Sequence, residues 1–285
     1  MHNIVSFPGL GLEFHFSSVA FYLASKPIYW YGIIIALGFL LASTYAAKRA
    51  PQFDIKSDDV IDMLLFVLPA GIVCARLYYV IFAWDQYKNN LSEIFAIWHG
   101  GLAIYGGLIG GIVTILIFCR VRHINPLDML DIIANSVLIG QILGRWGNFF
   151  NCEAFGGETT GPWRMVIGKG LSEAGAVGNH PTFFYESTWN LLGLILLHLY
   201  SKKRKYRGEI FLLYLGWYGL GRFFIEGLRT DSLYLWNTGI RVSQLVAAVS
   251  VLIGLGGFLL NRAKPFLKAV SAEPHDNNEN TEETT

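Results

Sequence analysis

Residues 27–47 read PIYWYGIIIALGFLLASTYAA, bounded by Lys26 and Lys48 with no charge between them. A bilayer core of about 30 Å is crossed by roughly 20 apolar residues in helical form, so this stretch alone predicts a transmembrane helix. Two further stretches meet the same test. Residues 94–119 carry no charge unless His99 is protonated, and residues 242–261 carry none. Four more are apolar but interrupted: 59–82 by Arg76, 128–150 by Arg145, 183–200 by Glu186, and 209–228 by Arg222 and Glu226. Intramembrane charges are costly, and those that are kept face a protein interior or a cavity. The expected fold is therefore an all-α polytopic membrane protein with about seven transmembrane helices.

Composition agrees. Of the 285 residues, 53% are hydrophobic and 15% charged, with a mean hydropathy of +0.41. Soluble domains carry about 25% charged residues; this chain has too few charges to solvate a globular surface. The net charge of +1 argues neither for nor against nucleic acid, and membrane lipids, not nucleic acid, are the expected partners of such a chain.

Orientation follows from the lysine and arginine bias. With the N-terminus outside, the inner segments carry Lys48, Arg49, Lys56, Arg120, Arg122, the basic run through residues 202–207, Arg262, Lys264 and Lys268. The outer segments carry only Lys26, Lys88, Arg164, Lys169, Arg229 and Arg241. Seven spans then put the C-terminus in the cytoplasm, so count and bias agree. Ser57-Asp58-Asp59 and Asn125-Pro126 read as helix starts. The domain plan is an extracytoplasmic segment 1–26, a membrane domain 27–262 and a cytoplasmic tail 263–285. The tail's polar, acidic end predicts disorder. Within the membrane domain, the glycine-rich segment 151–182 is expected to form a small extracytoplasmic head. No basic n-region or cleavage site precedes the first span, so no removable signal peptide is expected.

Cys74, Cys119 and Cys152 form no CxxC pattern and imply no disulfide framework. The seven histidines show no metal-ligand spacing, and no P-loop or dinucleotide fingerprint is present. Neither metal nor cofactor is expected.

The chemistry sits toward the outer ends of the spans. Arg76, Arg145 and Arg229 fall at similar depth, and arginine forks bidentately onto phosphate oxygens. Together they suggest a site for an anionic headgroup; the plainer reading is that each snorkels or pairs with a carboxylate. Arg222, Glu226 and Arg229 share a helix face at i, i+4 and i+7, which reads as an Arg222–Glu226 ion pair with Arg229 nearer the surface. The densest polar run is Gly144-Arg145-Trp146-Gly147-Asn148-Phe149-Phe150-Asn151-Cys152-Glu153-Ala154-Phe155-Gly156-Gly157. A helix C-cap explains one Asn and one Gly, not the whole run. Arg145 and Asn148 lie three apart on one face, with Asn151 following and Glu153 available to orient them.

This run resembles the G-R-x-G-N-F-x-N-x-E-x-x-G motif of the bacterial prolipoprotein diacylglyceryl transferases. Further matches follow in family order: Trp30-Tyr31-Gly32, Arg76, Gly100-Gly101 with Tyr105-Gly106-Gly107, His180-Pro181 with Tyr185-Glu186, and Glu226 with Arg229. The resemblance spans roughly residues 5–260. It implies an enzyme of the bacterial plasma membrane that moves the diacylglyceryl group of phosphatidylglycerol onto the lipobox cysteine of a prolipoprotein signal peptide. A thioether forms and glycerol 1-phosphate leaves. Arg145 and Arg229 are then the expected stabilisers of the departing phosphate, with Arg76, Tyr31, Asn148, Asn151, Glu153 and Gly156 binding substrate. Tyr105 and His99 are the catalytic candidates for handling the thiol proton. Some family members carry His where this chain has Tyr105, so a histidine-base mechanism does not transfer directly. Cys152 is read as a bystander because the acceptor brings its own thiol.

Three rival readings fit the sequence less well. An acyl or headgroup transferase needs a catalytic His–Asp pair, and none stands out. A transporter predicts an internal repeat, which seven spans do not divide into. A scaffold leaves the three arginines without reason.

Overall fold

The computed structural model describes residues 2–235 and 238–270; the tail expected at 273–285 lies outside the described residues. The body is helical. In chain order come α1 (Trp30–Arg49), α2 (Ser57–Phe82), the single turn α3 (Trp84–Tyr87), α4 (Ile104–Val121), α5 (Pro126–Asn151), α6 (Thr182–Ser201) and α7 (Glu209–Leu228). Last is α8 (Val242–Val251), which runs through a π turn at Leu252–Gly256 into α9 (Gly257–Ala263). α5 starts where Asn125-Pro126 predicts: the Asn125 side chain accepts the Leu127 N–H at 2.9 Å and Pro126 fills the first turn. α7 is started from another helix, because Asp131 of α5 accepts the N–H groups of Gly208 and Phe211 at 2.9 and 2.8 Å.

Five stretches are long and apolar enough to cross a membrane: Trp30–Phe53, Ser57–Phe82, Ile104–Val121, Pro126–Asn151 and Val242–Ala263. α6 and α7 match α1 at 20 residues each but are less apolar, since they carry Glu186, Arg222 and Glu226. Outward-facing Leu40, Leu65, Ile117, Leu196 and Leu252 are all exposed, as lipid-facing side chains must be.

α1 packs on α5, α2 on α4, and α5, α6, α7 and α8 follow in sequence. Small residues set the closest approaches. A Cβ on Gly106 would lie 2.4 Å from Tyr78 Cβ, and one on Gly110 would lie 2.4 Å from Cys74 Cβ. α6 and α7 clasp through Trp189 and Trp217, whose rings stack at 4.3 Å. Each indole N–H donates to the other's carbonyl, at 2.9 and 3.0 Å.

Two expectations need correction. The third span begins at Ile104 rather than 94, because Gly100 and Gly101 adopt φ of +88° and +73°, incompatible with a helix. Residues 91–99 instead form short 3-10 turns. Nor is the protein purely α. Strands β1 (His2–Phe7), β2 (Leu12–Ser17), β3 (Val19–Leu23) and β4 (Lys26–Tyr29) precede α1, and β5 (Glu158–Thr159), β6 (Val166–Ile167) and β7 (Gly178–Asn179) lie between α5 and α6. The order β2-β1-β6 joins the N-terminal segment to the 151–182 segment in one small sheet. LEFHFS alternates in polarity, the period of a half-buried strand, so a signal was present for β2; HNIVSF does not alternate. Val5 and Phe7 pack with Phe149, Met165 and Phe183, which seats this sheet on the ends of α5 and α6.

Candidate active site

α5 ends in a tight reversal. Cys152 and Ala154 take φ of 51° and 58°, and the Cys152 N–H caps the carbonyls of Asn148 and Phe149. The reversal carries Glu153 back over the helix end, where its carboxylate accepts from Asn148 at 2.9 Å and Asn151 at 3.3 Å. Arg145 donates to the other side of Asn148 at 3.1 Å. Arg145, Asn148, Asn151 and Glu153 therefore form one chain of contacts, as the helical spacing predicts. The motif glycines supply clearance. A Cβ on Gly147 would sit 2.7 Å from Tyr31 Cδ2, and one on Gly156 would sit 2.7 Å from His180 Cβ and 3.0 Å from the Leu228 carbonyl. Gly147 thus seats the Tyr31 ring, while Gly156 lets the reversal pair with Arg229 at the end of α7.

Below this turn lies a buried ion network. Arg145 reaches Glu186 at 2.9 Å, Glu186 reaches Arg222 at 3.0 Å, and Arg222 reaches Glu226 at 2.7 Å. Both glutamates are only 2% exposed. The Arg222–Glu226 pair is present as the spacing predicts, but Arg222 also shares Glu186 with Arg145. Sequence reasoning placed Glu186 in the polar network without naming its arginine partners, and gave Arg222 only a local one. The single signal available was that all four charges interrupt apolar spans. Arg241 adds a donor, from its guanidinium to the Glu226 carbonyl.

Arg229 lies at the edge of the same end. Its Nε and Nη2 fork onto the two oxygens of Asp231 at 2.9 and 2.7 Å, and this guanidinium holds the Asp231 carboxyl below the usual carboxylate range. Burial pushes the Cys152 thiol up, which keeps it protonated and poorly nucleophilic.

The remaining candidates stand apart from the network. Arg76, 5% exposed, donates to the carbonyls of Ile94 at 2.8 Å, Gly100 at 2.7 Å, Gly101 at 3.0 Å and also Glu93. It lies 5.0 Å over the Tyr87 ring. Its donors are thus spent on fastening the 83–103 connection. His99 belongs to that connection; its side chain is exposed and pairs with Glu93 at 3.0 Å. Tyr105 opens α4, half-buried, and neither it nor His99 hydrogen-bonds to the Arg145 network among the described residues.

A helical membrane body with arginines and amides gathered at one end of its spans defines a class: membrane-embedded proteins that handle an anionic lipid at one face of the bilayer. Comparison with known proteins narrows the class. Residues 18–260 match the family model "Prolipoprotein diacylglyceryl transferase", and the chain belongs to that family. It is 44% identical over 253 residues to the phosphatidylglycerol–prolipoprotein diacylglyceryl transferase of Lysinibacillus sphaericus, covering 86% of this chain and 92% of the relative. It is 45% identical over 261 residues to the protein of the same name from Limosilactobacillus reuteri, covering 89% and 94%. For that of Enterococcus faecalis the identity is 46% over 267 residues, covering 90% and 95%.

Proposed function

We propose that this protein transfers the diacylglyceryl group of phosphatidylglycerol to the lipobox cysteine of a prolipoprotein, the first step of lipoprotein maturation in the bacterial plasma membrane. Family membership supports the reaction class. The observation that carries the site assignment is Arg145, fixed between Asn148 and Glu186 at the end of α5. The cysteine sulfur forms a bond to the terminal glyceryl carbon, and the bond from that carbon to the phosphate oxygen breaks. Glycerol 1-phosphate leaves, and the thiol proton balances the charge that the departing phosphate gains. Fixed guanidinium groups stabilise that charge without reorganising.

We assign Arg145 and Arg229 to the phosphate, with Arg222 behind Arg145 through Glu186. Asn148, Asn151 and Glu153 orient the headgroup side, Tyr31 and Gly156 shape it, and Arg76 acts by holding the 83–103 connection. In this reading the arginine field carries the rate, and neither His99 nor Tyr105 takes the proton within the cluster. The topology we propose has seven spans, α6 and α7 included, because the ion pairs that lower their hydropathy face inward. The N-terminus and the 151–182 head lie outside and the C-terminus lies in the cytoplasm, as the basic residues favour.

The test uses purified protein in detergent with phosphatidylglycerol and a synthetic lipobox peptide. Release of glycerol phosphate should depend on the peptide cysteine and vanish in Arg145→Ala, while that variant still inserts. Release that ignores the cysteine, or an Arg145→Ala variant with more than about a tenth of the activity, would overturn the assignment.

A further inference from the structure

Each of three arginines at this end of the bundle faces a carboxylate: Arg145 has Glu186, Arg222 has Glu186 and Glu226, and Arg229 has Asp231. The carboxylates are not equivalent. Glu186 and Glu226 are buried at 2% side-chain exposure, whereas Asp231 is 50% exposed. A buried carboxylate leaves its arginine only at the cost of an uncompensated charge in a low dielectric. An exposed one can rotate into water. Asp231 is also bound in a particular way: its two oxygens take Nε and Nη2 of Arg229 as a parallel fork, the geometry in which a phosphate takes a guanidinium. Arg229 itself is held from behind. Its backbone pairs with Gly156, and the Gly157 N–H donates to the Leu228 carbonyl at 2.7 Å. The Arg229 backbone is therefore anchored and its side chain is 12% exposed, while the carboxylate partner is half exposed.

We infer that Asp231 is a displaceable competitor for the lipid phosphate on Arg229, and so sets the affinity of the enzyme for its anionic donor. The inference rests on Arg229 serving the headgroup. On arrival of phosphatidylglycerol the phosphate takes the fork and the Asp231 carboxylate turns to solvent, with no bond made or broken. The carboxylate also raises the threshold for binding, since an anion must outcompete it rather than merely approach a free cation. Glycerol 1-phosphate would meet the same competitor, so Asp231 favours release of the product as well.

Exposed ion pairs are weak, so the effect is modest and directional. Asp231→Asn keeps the shape but loses the charge, and should lower the KM for phosphatidylglycerol by about two- to fivefold. It should leave kcat within about twofold and tighten inhibition by added sn-glycerol 1-phosphate by the same factor as the KM. Asp231→Glu, which keeps the competitor, should stay near the wild type. Measurements use the full-length protein in mixed micelles, with Arg229→Gln in parallel. If Arg229→Gln raises the KM while Asp231→Asn leaves it unchanged or raises it, Asp231 positions Arg229 rather than competing for it, and the inference is overturned with the headgroup role intact. If Arg229→Gln leaves the KM for phosphatidylglycerol unchanged, the headgroup role itself fails, and the inference falls with it.

Discussion

Replacing Glu186 with Gln tests whether the buried ion network is the support of the site. Among the described residues, Glu186 is the carboxylate that ion-pairs with both Arg145 and Arg222. The amide keeps its volume and removes its charge, leaving Arg145 with Asn148 alone and Arg222 with Glu226. Removing one partner of a buried ion pair costs about 3–5 kcal/mol. The two guanidinium groups are 21% and 16% exposed, so water screens part of this and the lower end, about 3 kcal/mol, applies. The variant should fold but melt earlier in detergent. Activity should fall further than stability implies, because Arg145 must stand within about 1 Å of its working position and such a displacement costs roughly 10²-fold in rate. The assay is cysteine-dependent glycerol phosphate release at saturating phosphatidylglycerol, alongside thermal unfolding. Glu186→Asp, which keeps the charge on a shorter arm, should recover part of both. A Glu186→Gln variant with wild-type melting and more than about a tenth of the wild-type kcat would refute the reasoning, since Arg145 would then be held by something else.

Four shorter predictions follow from neighbouring features. Cys152→Ala should remain active, and the native thiol should react with maleimide more slowly than in unfolded protein, because burial keeps it protonated; an inserted but inactive variant would revive covalent catalysis. Gly147→Ala should lower activity by driving a Cβ to 2.7 Å from the Tyr31 ring, and adding Tyr31→Ala should cost less than it does alone, a coupling that a double-mutant cycle measures. Arg76→Gln should lower the melting temperature and open the 83–103 connection to protease, with little change in the KM for phosphatidylglycerol; a large KM change with normal melting would make Arg76 a headgroup ligand. In intact cells with the native cysteines replaced, an impermeant maleimide should label Ser172→Cys and spare Lys203→Cys; the reverse pattern would invert the topology.

The helices were legible because lipid imposes a length and an apolarity that few other environments do. The turn at 144–157 was legible for a different reason: its residues act within one local stretch, so spacing alone brings Arg145, Asn148 and Asn151 to one face. What stayed hidden was contact between helices. Nothing in the order of residues says that Glu186 on α6 sits between Arg145 on α5 and Arg222 on α7, since that depends on how three helices rotate against each other. Arg76 misled for a related reason. Its depth matched that of Arg145, but depth does not reveal whether the donors are spent, and four backbone carbonyls spend them. β2 was hidden by the strength of the membrane signal rather than by absence of pattern, whereas β1 carries no alternation to read.

A second charge cluster, at the opposite end of the same helices, shows why buried charge alone does not mark the site. Arg204 pairs with Asp128 at 2.8 Å and Asp131 at 2.9 Å, and Arg207 pairs with Asp128 at 2.8 Å. Asp131 also accepts two backbone N–H groups, and Arg204 lies 4.3 Å over the Phe53 ring. Here both oxygens of each aspartate are engaged, and the Arg204 side chain is only 6% exposed. Such a cluster fastens the α6–α7 connection to α5. Arg145 differs in its neighbours rather than in exposure, since Arg207 is 27% exposed and Arg145 21%. It pairs with Glu186 and donates to Asn148, whose amide continues to Glu153 at the helix end. The amides gathered around Arg145, rather than the number of buried charges, are why we propose catalysis at that end.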